Sequence, residues 1–367
     1  MAKKITYDGA GVQYGVLDPV KKMAQEQAVR TAGNLNRHGF SEVPESRGES
    51  AYVWKMGNVY MASVVEGLGT KNLVADGMDG VSRKSYYDVI GYDTVATIIN
   101  DLASVGAAPL VIHAYWASGT SDIFGDRQKM GDLIKGWTTA CDDSGASWGG
   151  GETPTLTNII EKNVLDLGGS AVGIVKSKNR LITDSKLRAG DRIILLRSSG
   201  VNANGISLAR AIVKQLPKGY ATRMPNGKLY GEALLTKTHI YARLVQSLLD
   251  AGVDIHYISN ITGHGMRKVM RARPSFTYVI EKVFRPQEIF AFIAKQAGLS
   301  DGEMYATYNM GQDFAIFIPE KEIEKTLDIV SENKFKALNA GYVEKGEKQV
   351  VIKPRDIVYK AGTLDLR

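Results

Sequence analysis

Val64-Val65-Glu66-Gly67-Leu68-Gly69-Thr70-Lys71 is the stretch on which the reading of this chain turns. An apolar strand end runs into a loop holding two glycines, a carboxylate, a hydroxyl and a lysine. Glycine lets backbone N–H groups come close to a phosphate, lysine adds a compact positive charge, and threonine or glutamate suits a bound Mg²⁺. The spacing is not Gly-x-x-x-x-Gly-Lys-Ser/Thr, so this is no ordinary P-loop. Its weight comes from acidic and glycine-rich partners further along the chain, which together point to an ATP-using enzyme.

Upstream of the loop, 51–55 and 59–65 alternate around Met56-Gly57-Asn58, the pattern of a β-hairpin. Residues 1–50 are polar and glycine-dotted, with little strand character. Downstream, 88–105 predicts a helix. Val95, Ile98, Ile99, Leu102 and Ala103 fill one arc of it, and Asp93, Thr97, Asn100 and Asp101 the other. Taken alone, that polar arc reads as a solvated acidic face; Gly106-Ala107 and Pro109 after it suggest instead a helix crowded against something. A strand at 109–112, a helix over 127–144 stopped by Gly145, a glycine-rich loop at 147–154 and a strand at 167–175 complete the first half.

The polar stretch 176–190 marks a boundary near 176. The second half reads as strand 192–196, a break at Ser198-Ser199-Gly200, and a helix after Asn204-Gly205 with Ile206, Ala209, Ile212 and Val213 inward. Helix 236–250, strand 255–261, the loop Thr262-Gly263-His264-Gly265 and a helix from Met266 follow. Strand 313–318, helix 319–333 and strand 349–352 come last. The expectation is an α/β fold of the α+β type, with two mixed α/β domains at 1–176 and 177–367. A length of 367 residues suits two cores, because single cores stop growing near ~250–300 residues.

Hydrophobic content of 44% and charged content of 23% are ordinary globular values, so a core can form without staples. Lys+Arg 46 against Asp+Glu 39 gives a net charge of +7, which favours anionic partners. The charge is dispersed, with no basic and aromatic stripe, so a small phosphorylated substrate is expected and nucleic acid is not. The single Cys141 excludes an internal disulfide framework and a thiolate zinc site, and its acidic neighbours Asp142 and Asp143 disfavour a thiolate, so it reads as structural. No apolar run approaches the ~20 residues that span a bilayer, and the N-terminus lacks a signal-peptide pattern. The expected setting is cytoplasmic, with no membrane partner.

Four further segments carry chemistry. Asp93, Asn100 and Asp101 offer oxygen ligands for Mg²⁺ on a rigid helix beside the glycine loop. Gly149-Gly150-Gly151-Glu152-Thr153-Pro154 suggests a backbone passing close to a nucleotide, with Glu152 as a second metal-facing carboxylate. Residues 198–205 and 262–265 each read as strand, small-residue loop and helix start, which is either a preformed anion site or ordinary β–α turn chemistry. Arg267, Lys268, Arg271 and Arg273 could neutralise a substrate phosphate, but a solvated basic face is the first reading of them. His264 is the one histidine inside a candidate site, as hydrogen-bond donor or general acid–base.

In order along the chain, these motifs resemble the aminoimidazole ribonucleotide synthetase family (phosphoribosylformylglycinamidine cyclo-ligase). The wider superfamily includes formylglycinamide ribonucleotide amidotransferase, thiamine-monophosphate kinase, selenophosphate synthetase and a hydrogenase maturation factor. Tyr7 with Ala10-Gly11-Val12 matches the family's opening, and Glu66-Gly67-Leu68-Gly69-Thr70-Lys71 its Asp-Gly-Val-Gly-Thr-Lys. Asn100-Asp101 through Gly106-Ala107 and Pro109, and Gly150-Gly151-Glu152-Thr153, match superfamily signatures. Ser199-Gly200, Asn204-Gly205, Leu235 to Tyr241, Ile261-Thr262-Gly263, and Glu303-Met304-Tyr305 with Asn309 and Gly311 continue the match.

The resemblance implies a homodimer paired through the N-terminal sheets, with ATP bound between subunits, and ATP-dependent ring closure of formylglycinamidine ribonucleotide in purine biosynthesis. It implies Glu66, Gly67, Gly69, Thr70, Lys71, Asn100, Asp101, Gly150, Gly151, Glu152 and Thr153 around ATP, with Mg²⁺ on Asp101, Glu152 and Glu66. Ser199, Gly200, Asn204, Gly205, Thr262, Gly263 and Gly265 would line the substrate side, and Lys71, Asp101 and His264 would be catalytic. Three departures stand out: Glu66 for the family's Asp, Asn202 for a histidine, and His264 for a glycine. They leave the acid–base group unassigned and allow an offshoot acting on another substrate. The alternatives are a sibling such as a thiamine-monophosphate kinase-like enzyme, or a non-catalytic nucleotide-binding scaffold. Selenophosphate synthetase carries a reactive Cys or selenocysteine near its N-terminus, and no cysteine precedes Cys141; the hydrogenase maturation factor ends in cysteine, and this chain ends in Arg367.

Overall fold

The alternation over 51–65 folds as the expected hairpin, and a six-stranded sheet is built around it. The computed structural model describes residues 4–364; the first three residues of the N-terminal stretch read above and the last three of the chain lie outside it. Strands β1 (Ser41–Glu42), β2 (Tyr52–Met56), β3 (Val59–Gly67), β4 (Ala108–Ser118), β5 (Ser147–Glu152) and β6 (Leu165–Val175) lie in the order β1-β2-β3-β6-β4-β5. Neighbours are antiparallel except β4 and β5, which run parallel.

Four helices accompany this sheet: α1 (Tyr14–Val29), α2 (Asn72–Ser82), α3 (Tyr87–Ser104) and α4 (Arg127–Ser144). Helix α3 packs across β3 and β6 on one side and against α4. Its predicted apolar arc is the core: Val95, Ile98, Ile99 and Leu102 are each 0% exposed. Burying each such side chain stabilises by roughly 1.5–3 kcal/mol against leaving it in water. Helix α1, in a region expected to be merely polar, has few contacts with the core and leaves Val16, Val20 and Met23 exposed.

The second sheet takes β7 (Arg192–Arg197), β8 (Tyr257–Asn260), β9 (Phe276–Ile280), β10 (Gln312–Ile318), β11 (Ala337–Lys345), β12 (Gln349–Ile352) and β13 (Ile357–Lys360) in the order β13-β12-β9-β11-β7-β10-β8. All neighbours are antiparallel except β12 and β9. Helices α5 (Ile206–Val213), α6 (Tyr230–Leu234), α7 (Ala242–Asp250), α8 (Glu288–Ala297), α9 (Asp301–Thr307) and α10 (Ile323–Glu332) accompany it. Every residue of β10 is buried, as a central strand covered on both faces requires. Among the described residues, no helix is long and apolar enough to cross a membrane.

Three expectations are corrected. Residues 147–152 form the edge strand β5, not a loop. A Cβ on Gly151 would stand 2.2 Å from the Ala114 carbonyl oxygen, and one on Gly149 2.8 Å from His113 Nε2. These glycines therefore let two strands close, whatever else passes nearby. The helix expected over 236–250 begins only at Ala242. The chain from Met266 makes a 3₁₀-helix, Gly265–Met270, not an α-helix.

The reason for the late start of α7 lies in α3, whose polar arc is buried against the second half, not solvated. Asp93 Oδ1 accepts from the Thr238 backbone N–H at 2.8 Å. Asn100 accepts from the Tyr241 N–H at 2.9 Å and donates to the His239 carbonyl at 2.8 Å. The Asn260 amide donates to Asp101 Oδ1 at 2.7 Å. Side chains of α3 thus satisfy backbone groups of 236–241 that a helix would have used for itself.

Asn100→Ala should leave the His239 carbonyl and Tyr241 N–H unpaired in this interface and cost about 2–4 kcal/mol in urea unfolding. Thr138→Ala, on the exposed face of α4, should stay within about 0.5 kcal/mol. An unchanged unfolding midpoint for Asn100→Ala would show that the clip does not hold the halves together.

Candidate functional site

Where the end of β3 meets the last turns of α3, two cavities of about 330 Å³ each adjoin. Both are lined by Glu66, Asp101, Asn204 and Thr262, so these four residues form the waist between them. The first cavity is walled by the Gly67–Thr70 loop, Thr97 of α3 and Ser207 of α5. The second is walled by Tyr14 and Lys21 of α1, with Glu49, His264, Lys268 and Arg271. A groove of about 430 Å³ on the outer face of the first sheet also reaches Glu66 and Gly67, beside His113, Tyr115 and Asp166.

Glu66 and Asp101 are the electrostatic centre. Burial first, then the adjacent Asp101 charge and a hydrogen bond between the two carboxyl groups, push the Glu66 acid up to about 7. A Glu66 carboxyl so placed is fully ionised at neutral pH only when positive charge joins it. Lys268 supplies some: it is 8% exposed, and its ammonium donates to Thr262 Oγ1 at 2.5 Å. Burial is the main cause that lowers its pKa to about 8, while Asp101 and Glu66 pull it back up. The donor set is hard oxygen in a polar cleft, which fits Mg²⁺. No group of three or more metal-ligating His, Cys, Asp or Glu side chains occurs among the described residues, so such an ion would complete its shell with water or phosphate.

The structure brings Glu66, Gly67, Gly69, Thr70 and Asp101 together with Asn204, Thr262 and Gly263 around this waist. Gly69 sits at φ +73°, a left-handed conformation that glycine adopts freely. Lys71 does not join them. Its side chain is fully buried, its ammonium 2.5 Å from Asp93 Oδ2 and 3.0 Å from the Thr236 carbonyl. It anchors the loop to both halves instead of entering a cavity. Asn100 is likewise spent on the 239–241 backbone.

Glu152 is also apart within one chain. Glu66 pairs with Gly169, Gly169 with Ala114, and Ala114 with Gly151. Three strand spacings put that edge about 14 Å from Glu66. Gly150, Gly151, Glu152 and Thr153 are all exposed there.

Ser199 and Gly200 line neither cavity. Their loop wraps the buried Asp313: Ser199 meets Asn202, Asn202 donates to Asp313 at 2.7 Å, and Asn309 donates to the Gly200 carbonyl at 2.9 Å. Burial pushes the Asp313 carboxyl up to about 7, and the Tyr241 hydroxyl donates to it at 2.7 Å. A titratable carboxyl thus lies directly beneath Asn202. Gly205 and Gly265 serve packing: a Cβ would come within 2.2 Å of the Tyr308 ring at the first and 2.3 Å of the Tyr305 carbonyl at the second.

His264 is buried and held, not free. It occupies φ +70°, an unfavourable conformation for a residue with a Cβ. Its ring stacks on Tyr14 at 3.6 Å between centroids, and Nε2 lies 3.1 Å from Asp18 Oδ2. Desolvation lowers its pKa to about 4, so it is a neutral imidazole at pH 7 and a poor general acid there. The contacts fasten α1 over the second cavity.

Of the basic face read from the sequence only Arg273 is exposed; Lys268 is buried and Arg267 and Arg271 are half-buried. Arg271 donates to the Gly48 carbonyl and Ser50 Oγ, Arg267 to the His264 and Ala306 carbonyls, and Arg273 to Asp184. Lys268, Tyr14, Asp18 and Asn260 were therefore missed as site residues. The one local hint was the apolar Met266, Val269 and Met270 around Lys268, which already argue for a buried turn.

Residues 48–175 match the family described as AIR synthase related protein, N-terminal domain, and residues 188–353 match its C-terminal domain. A phosphoribosylformylglycinamidine cyclo-ligase of Clostridium perfringens is 32% identical over 359 residues, 95% of this chain and 100% of that protein. One from Methanocaldococcus jannaschii is 31% identical over 344 residues, 92% of each. Among solved structures, a ThiL complexed with AMPPCP and TMP aligns with a TM-score of 0.58 at 16% identity, over 85% of this chain and 90% of that one. The hydrogenase maturation protein HypE in complex with ATP aligns at 0.53 and 16% identity, over 71% and 75%. At such identities the structural matches speak for the fold.

The lowered His264 pKa sets a pH dependence. Between pH 6.5 and 4 the unfolded chain takes up a proton on this ring and the native chain does not, so stability falls as pH drops through that window. From pH 7 to pH 5 the loss should approach 2 kcal/mol at most. His264→Asn, which tolerates the left-handed backbone, should flatten the difference between chemical unfolding curves at the two pH values. A slope equal to that of the unsubstituted protein would mean that the imidazole is not held neutral.

Proposed function

The chain belongs to the AIR synthase related family, and we propose that it closes the imidazole ring of 5-aminoimidazole ribonucleotide from formylglycinamidine ribonucleotide, using ATP and releasing ADP and phosphate. Relatives named phosphoribosylformylglycinamidine cyclo-ligase, about as long as this chain and aligned over nearly all of it, support this ligase activity in purine biosynthesis. The observation that carries the site assignment is the Glu66–Asp101 pair at the waist of two cavities, one bounded by the glycine loop.

In this reading the amide oxygen of the substrate attacks the γ-phosphorus of ATP, and ADP leaves. The amidine-side nitrogen then attacks the carbon bearing the new phosphate; the C–O bond breaks, phosphate departs with its electron pair, and a proton is lost as the ring becomes aromatic. Both steps need positioning and charge control more than covalent help from the protein. Backbone N–H groups of Gly69 and Thr70 cradle phosphates, the Leu68 N–H being held by the Leu167 carbonyl at 2.8 Å, and the Thr70 hydroxyl meets Ser207 of α5 at 3.4 Å. Glu66 and Asp101 would hold Mg²⁺, which spreads the charge of the moving phosphoryl group. Asn260 keeps Asp101 aimed into the waist. Lys71 is assigned a supporting role, fixing the loop through Asp93. Asn204, Thr262 and Gly263 face the ribonucleotide.

Two copies of the chain pair through the outer face of the first sheet. That face leaves Val65, Leu110 and Tyr115 exposed, and its groove leads to Glu66, where a nucleotide between subunits would reach the carboxylate pair. Glu152 keeps an ATP role only through such pairing. The proposed division near 176 is supported by the passage of the chain from one sheet to the other between β6 and β7. A cytoplasmic location fits this metabolic role.

Purified protein given ATP, Mg²⁺ and formylglycinamidine ribonucleotide should form aminoimidazole ribonucleotide and ADP in equal amounts. ADP formed only with another acceptor such as thiamine monophosphate would favour a sibling kinase, and ATP binding without turnover a scaffold. Asp101→Asn should lower kcat at least a thousandfold with an unaltered circular-dichroism spectrum. Unchanged turnover in that variant removes Asp101 from the reaction.

A further inference from the structure

A lysine inside a metal site is a contradiction unless its charge has a purpose there. Lys268 lies on the 3₁₀-helix Gly265–Met270, packed among Met266, Val269 and Met270, all fully buried. Its backbone carbonyl accepts from Ser259 Oγ at 2.6 Å, which fixes the root of the side chain. Its ammonium gives one proton to Thr262 Oγ1 at 2.5 Å and otherwise faces the second cavity and the Glu66–Asp101 pair. The neighbouring cations are already engaged elsewhere: Arg271 with Gly48 and Ser50, and Lys21 with Asp18 at 3.2 Å. Glu66 is held down by the Lys268 charge, the one cation among the leading influences on it, and Lys268 is in turn pulled up by Asp101 and Glu66.

We propose that Lys268 is the resident counter-charge of the Glu66–Asp101 pair, and that it holds the affinity for a free divalent cation down so that the metal enters with its nucleotide. The inference rests on the assignment of that pair as the Mg²⁺ site. A buried carboxylate pair with no internal cation would collect divalent ions on its own, and would then meet the triphosphate with the ion already bound. A fixed ammonium nearby opposes a second positive charge through a medium far less screening than water. The triphosphate reverses the balance, because its negative charge accommodates both the metal and the lysine. Lys268 is on this account a positioning residue that acts through the carboxylates.

The probe is Mn²⁺ without nucleotide, its free concentration read by electron paramagnetic resonance during titration of the full chain. Lys268→Met should bind Mn²⁺ at least tenfold more tightly than the unsubstituted protein, whereas Lys268→Arg, which keeps the charge, should bind as the unsubstituted protein does. Loss of a merely structural lysine would weaken binding or leave it unaltered, so a gain discriminates. If Lys268→Met does not fold, Lys268→Gln retains a donor for Thr262 and carries the same expectation. Asp101→Asn separates the two levels of the argument. Mn²⁺ binding that weakens in Asp101→Asn but does not tighten in Lys268→Met overturns the role of Lys268 and leaves the metal assignment standing. Mn²⁺ binding that Asp101→Asn does not alter overturns the metal assignment, and this inference falls with it.

Discussion

The polar arc of α3, buried against the second half, is the constraint from which the rest of the structure follows. Asp93, Asn100 and Asp101 would each be expensive to desolvate alone. Each is matched across the interface, Asp93 by the Thr238 N–H, Asn100 by the 239–241 backbone and Asp101 by Asn260, and Asp93 is further paired with Lys71 of its own half. Hydrogen bonds of this kind have strict geometry, so they set the angle between the two sheets more sharply than apolar contact would. The gap opens beside the last turns of α3, where Thr97 and Asp101 line it. Asp101 is the last of the three polar partners and the only one that lines the gap.

Charge in the gap is arranged for a guest. Glu66 is pushed toward a neutral acid, Lys268 toward a neutral amine, and His264 is neutral outright. Each shift has burial as its largest cause, so the waist is a poorly screening place whose ionisable groups await a compensating ligand. In such surroundings a phosphoryl group in transit feels every nearby charge strongly. Helix α1 adds enclosure. His264 accepts an unfavourable backbone conformation, and its Tyr14 stack and Asp18 contact fasten the helix above the second cavity.

Much of the local structure was legible. The hairpin around 56–58, the span of α4 and strand β12 follow from alternation, the 3.6-residue period and glycine stops. Gly106, read as a sign of crowding after α3, does crowd: a Cβ there would stand 2.0 Å from the Arg180 carbonyl oxygen. The failures share one cause. Residues 236–241 were read as the first turns of a helix, but α3 claims their backbone groups. The 149–151 glycines looked like a ligand loop, and two of them, Gly149 and Gly151, make room for β4. Lys268 and its arginine neighbours looked solvated because charge density is visible in a sequence and burial is not. Helix α1, held chiefly by contacts to the distant residue 264, left no strong periodic trace.

By itself the sequence determined the inventory: two mixed α/β halves, a glycine loop following a strand, and a carboxylate at the end of an amphipathic helix. These follow from short-range rules, in which a side-chain period or a turn residue acts on its own neighbours. The tertiary structure decided which of those groups meet. It set Glu66 beside Asp101, drew Lys268 in to them, withdrew Lys71 into the core and left Glu152 on an edge. Such choices depend on packing between segments distant in sequence, from the 22 residues that separate Lys71 and Asp93 to the 159 between Asp101 and Asn260. Desolvation and pairing energies arise only once that packing is in place, and no local pattern encodes them.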